Sequence, residues 1–407
     1  MQNSPKGFNP NPYPYHHILN LEIESLSNLG LGIGRDKGWV IQVPFCIPGE
    51  RVRARIFRNH SNYSSADFIE VLEPSNERVM PKCSLFGICG GCQYQHMSYE
   101  RQLLWKKQQV EESFARIGSI NIKAKPTIAS PATYGYRSKL TPHYGKKRTD
   151  MPLEIGFLKF GNRKTLVDVE TCPIATDAIN EVLPSARDEI SKRLKKKNKG
   201  GTLLLRDTLG GVVTDPKSLV EQKVDDLIFQ FRAGEFFQNN PYLLPRLTKH
   251  VISSAKASGS NFLVDAYCGG GLFALSGAAH FNKVIGIEIS REGFEGAQAN
   301  AKLNQINNVE FLLGDASSIF SHLELTHRPV SLIIDPPRKG CDPSFILQAI
   351  TFAPDTIVYV SCDPATQARD AKSLILGGYE IIDVQPFDLF PQTRHIENVV
   401  TFRRCES

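Results

Sequence analysis

Cys362 follows an apolar run, residues 356–361, and is itself followed by Asp363 and Pro364. A thiol at a strand end, beside the start of the next helix, is placed to have a lowered pKa and to act as a nucleophile. A second run, residues 330–334, ends in Asp335-Pro336-Pro337-Arg338. Ligands bind beyond the carboxyl ends of strands in open α/β sheets, so both motifs point toward one crevice. Glu397, in HIENV at a late strand, can supply a carboxylate base. The chemistry that needs these parts is methylation of uracil carbon 5. That carbon is a poor nucleophile until a thiolate adds at carbon 6, and its proton must be removed before the thiolate leaves. Cys362 is the expected nucleophile and Glu397 the expected base.

Strand NFLVD runs into AYCGGGLFAL, where Gly269, Gly270 and Gly271 allow a tight turn and close backbone approach. A second strand ends in Glu288, which can accept ribose hydroxyls, and a third is followed by Asp315. No GxGxxG occurs. Acid with glycine loop, acid, and acid across three strands points to S-adenosylmethionine rather than a nicotinamide dinucleotide. Asp265 either braces the loop or touches the ligand.

Cys83-x5-Cys89-Gly-Gly-Cys92 places three cysteines in ten residues, a metal-site spacing that needs a fourth ligand. Cys172, in ETCPI, suits an iron–sulfur centre, because a Cys-Pro pair occurs among cluster ligands. Zinc, with His96 as a ligand, competes. Packing suffices for Cys46, Cys268, Cys341 and Cys405.

The elements that must position these groups differ along the chain. Residues 1–16, rich in Pro and Asn, read as a flexible tail. From His17 to Glu73 short alternating strands suit a small barrel of the OB type, with Gly32 and Gly34 among the turn residues. Arg51, Arg53, Arg55 and Arg58 put three residues on one strand face, either a phosphate-tracking stripe or a solvated surface. Residues 99–117 read as an amphipathic helix. From Asn261 strands are expected at 262–266, 284–288, 309–313, 330–334 and 356–361. Helical stretches separate them, implying a mostly parallel sheet covered on both faces. Two last strands fit 379–385 and 397–403.

The chain has 407 residues and a net charge of +6. Residues 1–260 hold 37 Lys and Arg against 25 Asp and Glu, or +12, and residues 261–407 hold 11 against 17, or −6. A basic front suggests contact with a polyanion. No run approaches the ~18 apolar residues of a membrane span, and no signal-peptide core is evident at the N-terminus. The expected location is cytoplasmic, with no membrane partner.

On these residues the chain resembles the RNA uracil-5-methyltransferases of the RlmD and TrmA type, in particular the iron–sulfur branch acting on 23S rRNA. The matching motifs are KCSLFGICGGCQYQH with TCPI, GEFFQNN, DAYCGGG, DPPRKG, SCDP and RHIENV. The resemblance implies a TRAM/OB-like RNA-binding barrel at 17–74, a central α+β iron–sulfur domain at 75–235, and a Rossmann-like α/β methyltransferase domain at 236–407. It implies a [4Fe–4S] cluster on Cys83, Cys89, Cys92 and Cys172. It implies S-adenosylmethionine bound by Gln238, Glu288 and Asp335, with Asp265, Tyr267, Gly269 and Asp315 as further binding residues. It also implies Cys362 as nucleophile and Glu397 as base, acting on RNA as a monomer. Two other outcomes stay open: a tRNA substrate, or a noncatalytic RNA-binding iron–sulfur protein on the same scaffold.

Overall fold

The computed structural model describes residues 4–146, 152–193, 200–314 and 329–405. The chain divides into two units. One comprises Met1–Gln102, Phe157–Asp168 and Pro391–Arg394, and the other Leu103–Gly156, Val169–Phe390 and His395–Ser407.

The first unit holds β1 (Ile18–Leu26), β2 (Gly32–Asp36), β3 (Trp39–Val43), β4 (Arg51–Asn59) and β5 (Tyr63–Glu73), closed into a barrel in the order β1-β2-β3-β5-β4. Alternation sets the inside: Val52, Ala54 and Ile56 of β4 join Leu21, Ile23, Ile41 and Val43 in the core. Gly32 and Gly34 lie within β2 rather than in a turn. A Cβ on Gly34 would stand 2.8 Å from the Glu22 carbonyl oxygen, and one on Gly32 would stand 2.7 Å from the Cys46 sulfur. The neighbouring strand passes too close for a side chain, so a strand is built from residues that sequence patterns assign to turns. The arginine stripe is spoken for: Arg51, Arg53 and Arg55 pair with Glu73, Glu70 and Asp67 of β5. Its charge is largely cancelled, which favours the solvated-surface reading. The stretch expected to be a tail is tied down, with Asn59 donating to the carbonyls of Asn9 and Tyr13 and Tyr13 donating to Asp36.

The second unit begins in α1 (Tyr99–Ser113) and includes α2 (Asp177–Arg193), several short strands and α3 (Leu244–Lys256). Its main sheet consists of β6 (Phe262–Ala266), β7 (Lys283–Glu288), β8 (Val309–Leu313), β9 (Val330–Ile334), β10 (Thr356–Ser361), β11 (Tyr379–Phe387) and β12 (Glu397–Arg404). The order is β8-β7-β6-β9-β10-β12-β11, with the first five parallel and β12 antiparallel to both neighbours. The strands alternate with α4 (Leu272–Gly277), α5 (Arg291–Leu303), α6 (Pro343–Phe352) and α7 (Pro364–Leu376).

Every residue of β9 and β10 is buried, as a sheet covered on both faces requires. Leu332 and Ile334 of β9 pack in one cluster with Phe345 of α6 and Leu374 of α7. Ile333, facing the other way, packs in another with Leu244 and Val251 of α3 and Phe273 of α4. The strand order reverses between β6 and β9, and ligand crevices form at that switch point. Among the described residues no helix is long and apolar enough to cross a membrane.

Candidate active site

The loop after β6 is shaped by three left-handed residues, Tyr267 (φ 70°), Gly269 (φ 52°) and Gly271 (φ 90°). For Tyr267 this region is costly, and such outliers mark loops built for a task. Side chains from three elements hold the loop. The Gly269 N–H donates to Glu288 at 2.8 Å, Asn300 donates to the Gly270 carbonyl at 3.0 Å, and the Ala274 N–H donates to Asp265 at 2.8 Å. Asp265 is fully buried and does not line the cavity described next, so its visible role is the brace. Burial drives its carboxyl well above the usual carboxylate range, and the nearby Asp335 and Glu288 add to the shift.

A cavity of about 440 Å³ opens beside this loop, entirely within the second unit. Tyr267, Gly269 and Phe273 form one side, and Asp335, Arg338, Cys362 and Glu397 another. Phe236, Gln238 and Phe390 also line it. Sheet register explains the second group. Because β12 runs against β10, its first residues lie at the carboxyl edge of the parallel strands. Ser361 pairs with Asn398, which brings Cys362 and Glu397 together across adjacent strand ends.

The thiol does not have the expected low pKa. Burial, then the charges of Glu397 and Asp335, push Cys362 up to about 12 against the pull of Arg338. The helix terminus gives no help, because Asp363 caps α7 itself, accepting from the N–H groups of Ala365 (3.0 Å) and Thr366 (3.4 Å). The carboxyls respond alike. Burial lifts Asp335 to about 7, and burial followed by the charge of Asp335 lifts Glu397 well above the carboxylate range, against the pull of Arg338.

These raised values carry a stability consequence. A carboxyl whose folded pKa exceeds its unfolded value stabilises the fold fully below the unfolded pKa, about 4, and that contribution is lost as pH climbs through the folded pKa. Unfolding by urea should therefore show stability falling between about pH 4 and pH 7, with Asp335→Asn flattening the decline. An unchanged slope in that variant would mean other groups set it.

The structure thus brings together Gln238, Tyr267, Gly269, Asp335, Cys362 and Glu397, with Glu288 one hydrogen bond behind the loop. Asp315 lies outside the described residues. The cysteine loop gives less than its spacing suggested. Cys83, Cys89 and Cys92 belong to the first unit and Cys172 to the second. Among the described residues no three His, Cys, Asp or Glu side chains form a group that could hold a metal ion. Burial, and to a lesser degree the neighbouring Cys83, raise the Cys89 thiol. His96 is buried against Phe86, and burial pushes it down to about 3, which keeps the imidazole neutral.

Arg338 is the site residue that sequence reasoning left without a role. Its signal was available: a cation directly after Asp-Pro-Pro at a strand's carboxyl end. Phe390 was also missed. The buried Lys106 of α1 binds Asp388 and donates to the Phe390 carbonyl at 3.1 Å, and Asn240 donates to that of Leu389 at 3.1 Å.

A sheet of this order, with a glycine-loop crevice at its switch point and the Cys362 thiol lining that crevice, is a Rossmann-like α/β fold. Residues 217–405 match the family model described as tRNA (Uracil-5-)-methyltransferase, and residues 17–69 match the TRAM domain. The tRNA (uracil(54)-C(5))-methyltransferase of Schizosaccharomyces pombe is 40% identical over 96% of this chain and 79% of its own length. That of Saccharomyces cerevisiae is 31% identical over 95% and 74%. The Pyrococcus abyssi tRNA (uracil-54, C5)-methyltransferase, solved with S-adenosyl-L-homocysteine, shares the fold at a TM-score of 0.74. It is 24% identical, and the match covers 94% of this chain and all of that one. The chain belongs to the TRAM-containing RNA uracil-5-methyltransferase family, whose members use S-adenosylmethionine.

Proposed function

We propose that this protein methylates carbon 5 of a uracil in tRNA through a covalent adduct of Cys362. The carrying observation is one cavity that holds the Cys362 thiol, the Glu397 and Asp335 carboxyls and the glycine loop. S-adenosylmethionine would supply an electrophilic methyl group on a cationic sulfur. The residues fit such a ligand: three acids, Asp265, Glu288 and Asp335, lie around the loop, and a cation beside Asp335 would favour the charged carboxylate that burial disfavours. Gln238, Gly269, Glu288 and Asp335 would hold it, with Tyr267 shaping the wall and Asp265 bracing from behind. Asp315 is retained as a further contact on sequence grounds alone.

Cys362 adds to carbon 6 of a uracil turned out of its stack, which makes carbon 5 nucleophilic. The Cys362 proton must leave to solvent before addition, Arg338 favouring the thiolate, and Glu397, once ionised, takes the carbon-5 proton after methyl transfer as the bond from carbon 6 to sulfur breaks. RNA containing 5-fluorouridine tests this, since fluorine cannot leave as a proton. With S-adenosylmethionine present, a protein–RNA adduct stable to denaturation should form. Its absence, or its survival in Cys362→Ala, overturns the mechanism, and binding without any adduct returns the noncatalytic reading.

The tRNA substrate is preferred over 23S rRNA because both named eukaryotic relatives are, by name, tRNA uracil-54 enzymes. Separate tRNA and rRNA transcripts in the adduct assay decide between them. Residues 17–74 and 75–235 would grip the RNA as a monomer, leaving the chemistry to 236–407. An iron–sulfur cluster on Cys83, Cys89, Cys92 and Cys172 rests on the sequence motif alone, and no step passes through it. Anaerobically purified protein should contain about four irons per chain if the cluster is real. Colourless, iron-free protein that still methylates removes it.

A further inference from the structure

Behind the cavity, α7 is clamped to the loop that carries Arg338. Asp370 is 4% exposed and accepts at one oxygen from the Tyr359 hydroxyl (2.7 Å) and the Cys341 N–H (2.9 Å). Its other oxygen accepts from Arg369 Nε at 2.8 Å and pairs with Nη2 at 2.7 Å. Arg369 Nη2 also donates to the carbonyls of Lys339 (3.1 Å) and Cys341 (3.2 Å), and Thr366 donates to that of Arg338 (3.2 Å). The space between is full. A Cβ on Gly340, at φ 76°, would stand 2.6 Å from Arg369 Nη2 and 2.7 Å from Asp370 Oδ2. Backbone groups of Arg338, Lys339 and Cys341 are therefore fixed to one helix, and that helix starts two residues after Cys362. None of Arg369, Asp370 and Thr366 lines the cavity.

We propose that Arg369 and Asp370, aided by Thr366, are positioning residues that hold the Arg338 guanidinium against the Cys362 sulfur. A forked guanidinium reaching two carbonyls and a carboxylate fixes a loop more tightly than an ammonium can. With the clamp loosened, Arg338 leaves the thiol, and the thiolate becomes harder to form. The inference rests on Cys362 being the nucleophile, but its test reads the thiol itself and not methylation.

The test is the rate of Cys362 alkylation by iodoacetamide from pH 7 to 11, followed on the Cys362 peptide by mass spectrometry in the full-length protein. R369K is expected to slow alkylation about tenfold at fixed pH and to move the profile to higher pH. It should lower kcat by a similar factor while leaving KM for S-adenosylmethionine unchanged. R338A alone and R338A with R369K should behave alike, because both remove one interaction. A folded R369K protein with the parent profile overturns the proposal, as do R338A and R369K effects that multiply. If R369K fails to fold, T366V removes one tie of the clamp. It should slow alkylation about threefold, and no change there overturns the proposal equally. A failure of the nucleophile reading would appear separately, as a fluorouridine adduct surviving Cys362→Ala.

Discussion

Replacing Glu397 with Gln is expected to leave the protein joined to its product. Addition of Cys362 and methyl transfer need no base at carbon 5, but release does. Glu397→Gln should therefore accumulate a covalent complex with natural, unfluorinated RNA, while turnover falls by about 10²–10⁴-fold. The substitution should spare the fold. Glu397 is 2% exposed, burial and the nearby Asp335 raise its carboxyl well above the carboxylate range, and Gln matches it in shape. A melting temperature held or slightly raised, with a band that resists denaturing electrophoresis, is the combined signature. Parental turnover without any adduct would move the base elsewhere, and Asp335, the other carboxyl lining the cavity, is then the candidate.

Lys106→Ala is expected to have the largest effect on stability. Lys106 and Asp388 are both fully buried and bonded to each other, and one Asp388 oxygen has no partner. Removing the lysine leaves an uncompensated charge in the core, a loss of about 3–5 kcal/mol. The same deletion removes the Lys106 bond to the carbonyl of Phe390, a cavity residue, so activity should fall even below the melting point. Lys106→Met with Asp388→Leu should recover most of the stability, because a buried ion pair replaced by apolar groups of similar volume is often neutral. Equal loss in the single and double variants, read by chemical denaturation, would show that the loop depends on the pair itself.

The parallel half of the fold could be read directly. Runs such as VSLII and TIVYV are apolar throughout because their strands are covered on both faces, and the expected ranges agree with β6 and β8–β10 to the residue. Cys362 and Glu397 were legible for the same reason, since each sits where such a strand ends or a late one begins. What escaped depends on partners far away in the chain. The carboxylates that cancel Arg51, Arg53 and Arg55 come from β5, through a register that only pairing reveals. Lys106 is fully buried on a helix only a third of whose residues are buried, and its reason for being there is 282 residues away. The thiol's environment was misread although the sequence contained the correction. Asp363 followed by Pro364 is a helix cap with proline in the first turn, so the helix start was already occupied by its own side chain.

The burial of that thiol bears on how the enzyme survives between substrates. Thiolates are what attack peroxides and disulfides, and a thiol held near pKa 12 supplies almost none at neutral pH. Cys405, by contrast, is exposed at the far end of the chain. Under mild oxidant the exposed cysteine should be modified first, with Cys362 kept in reserve. A thiol kept protonated by burial lets the resting protein meet oxidants with Cys362 still reduced.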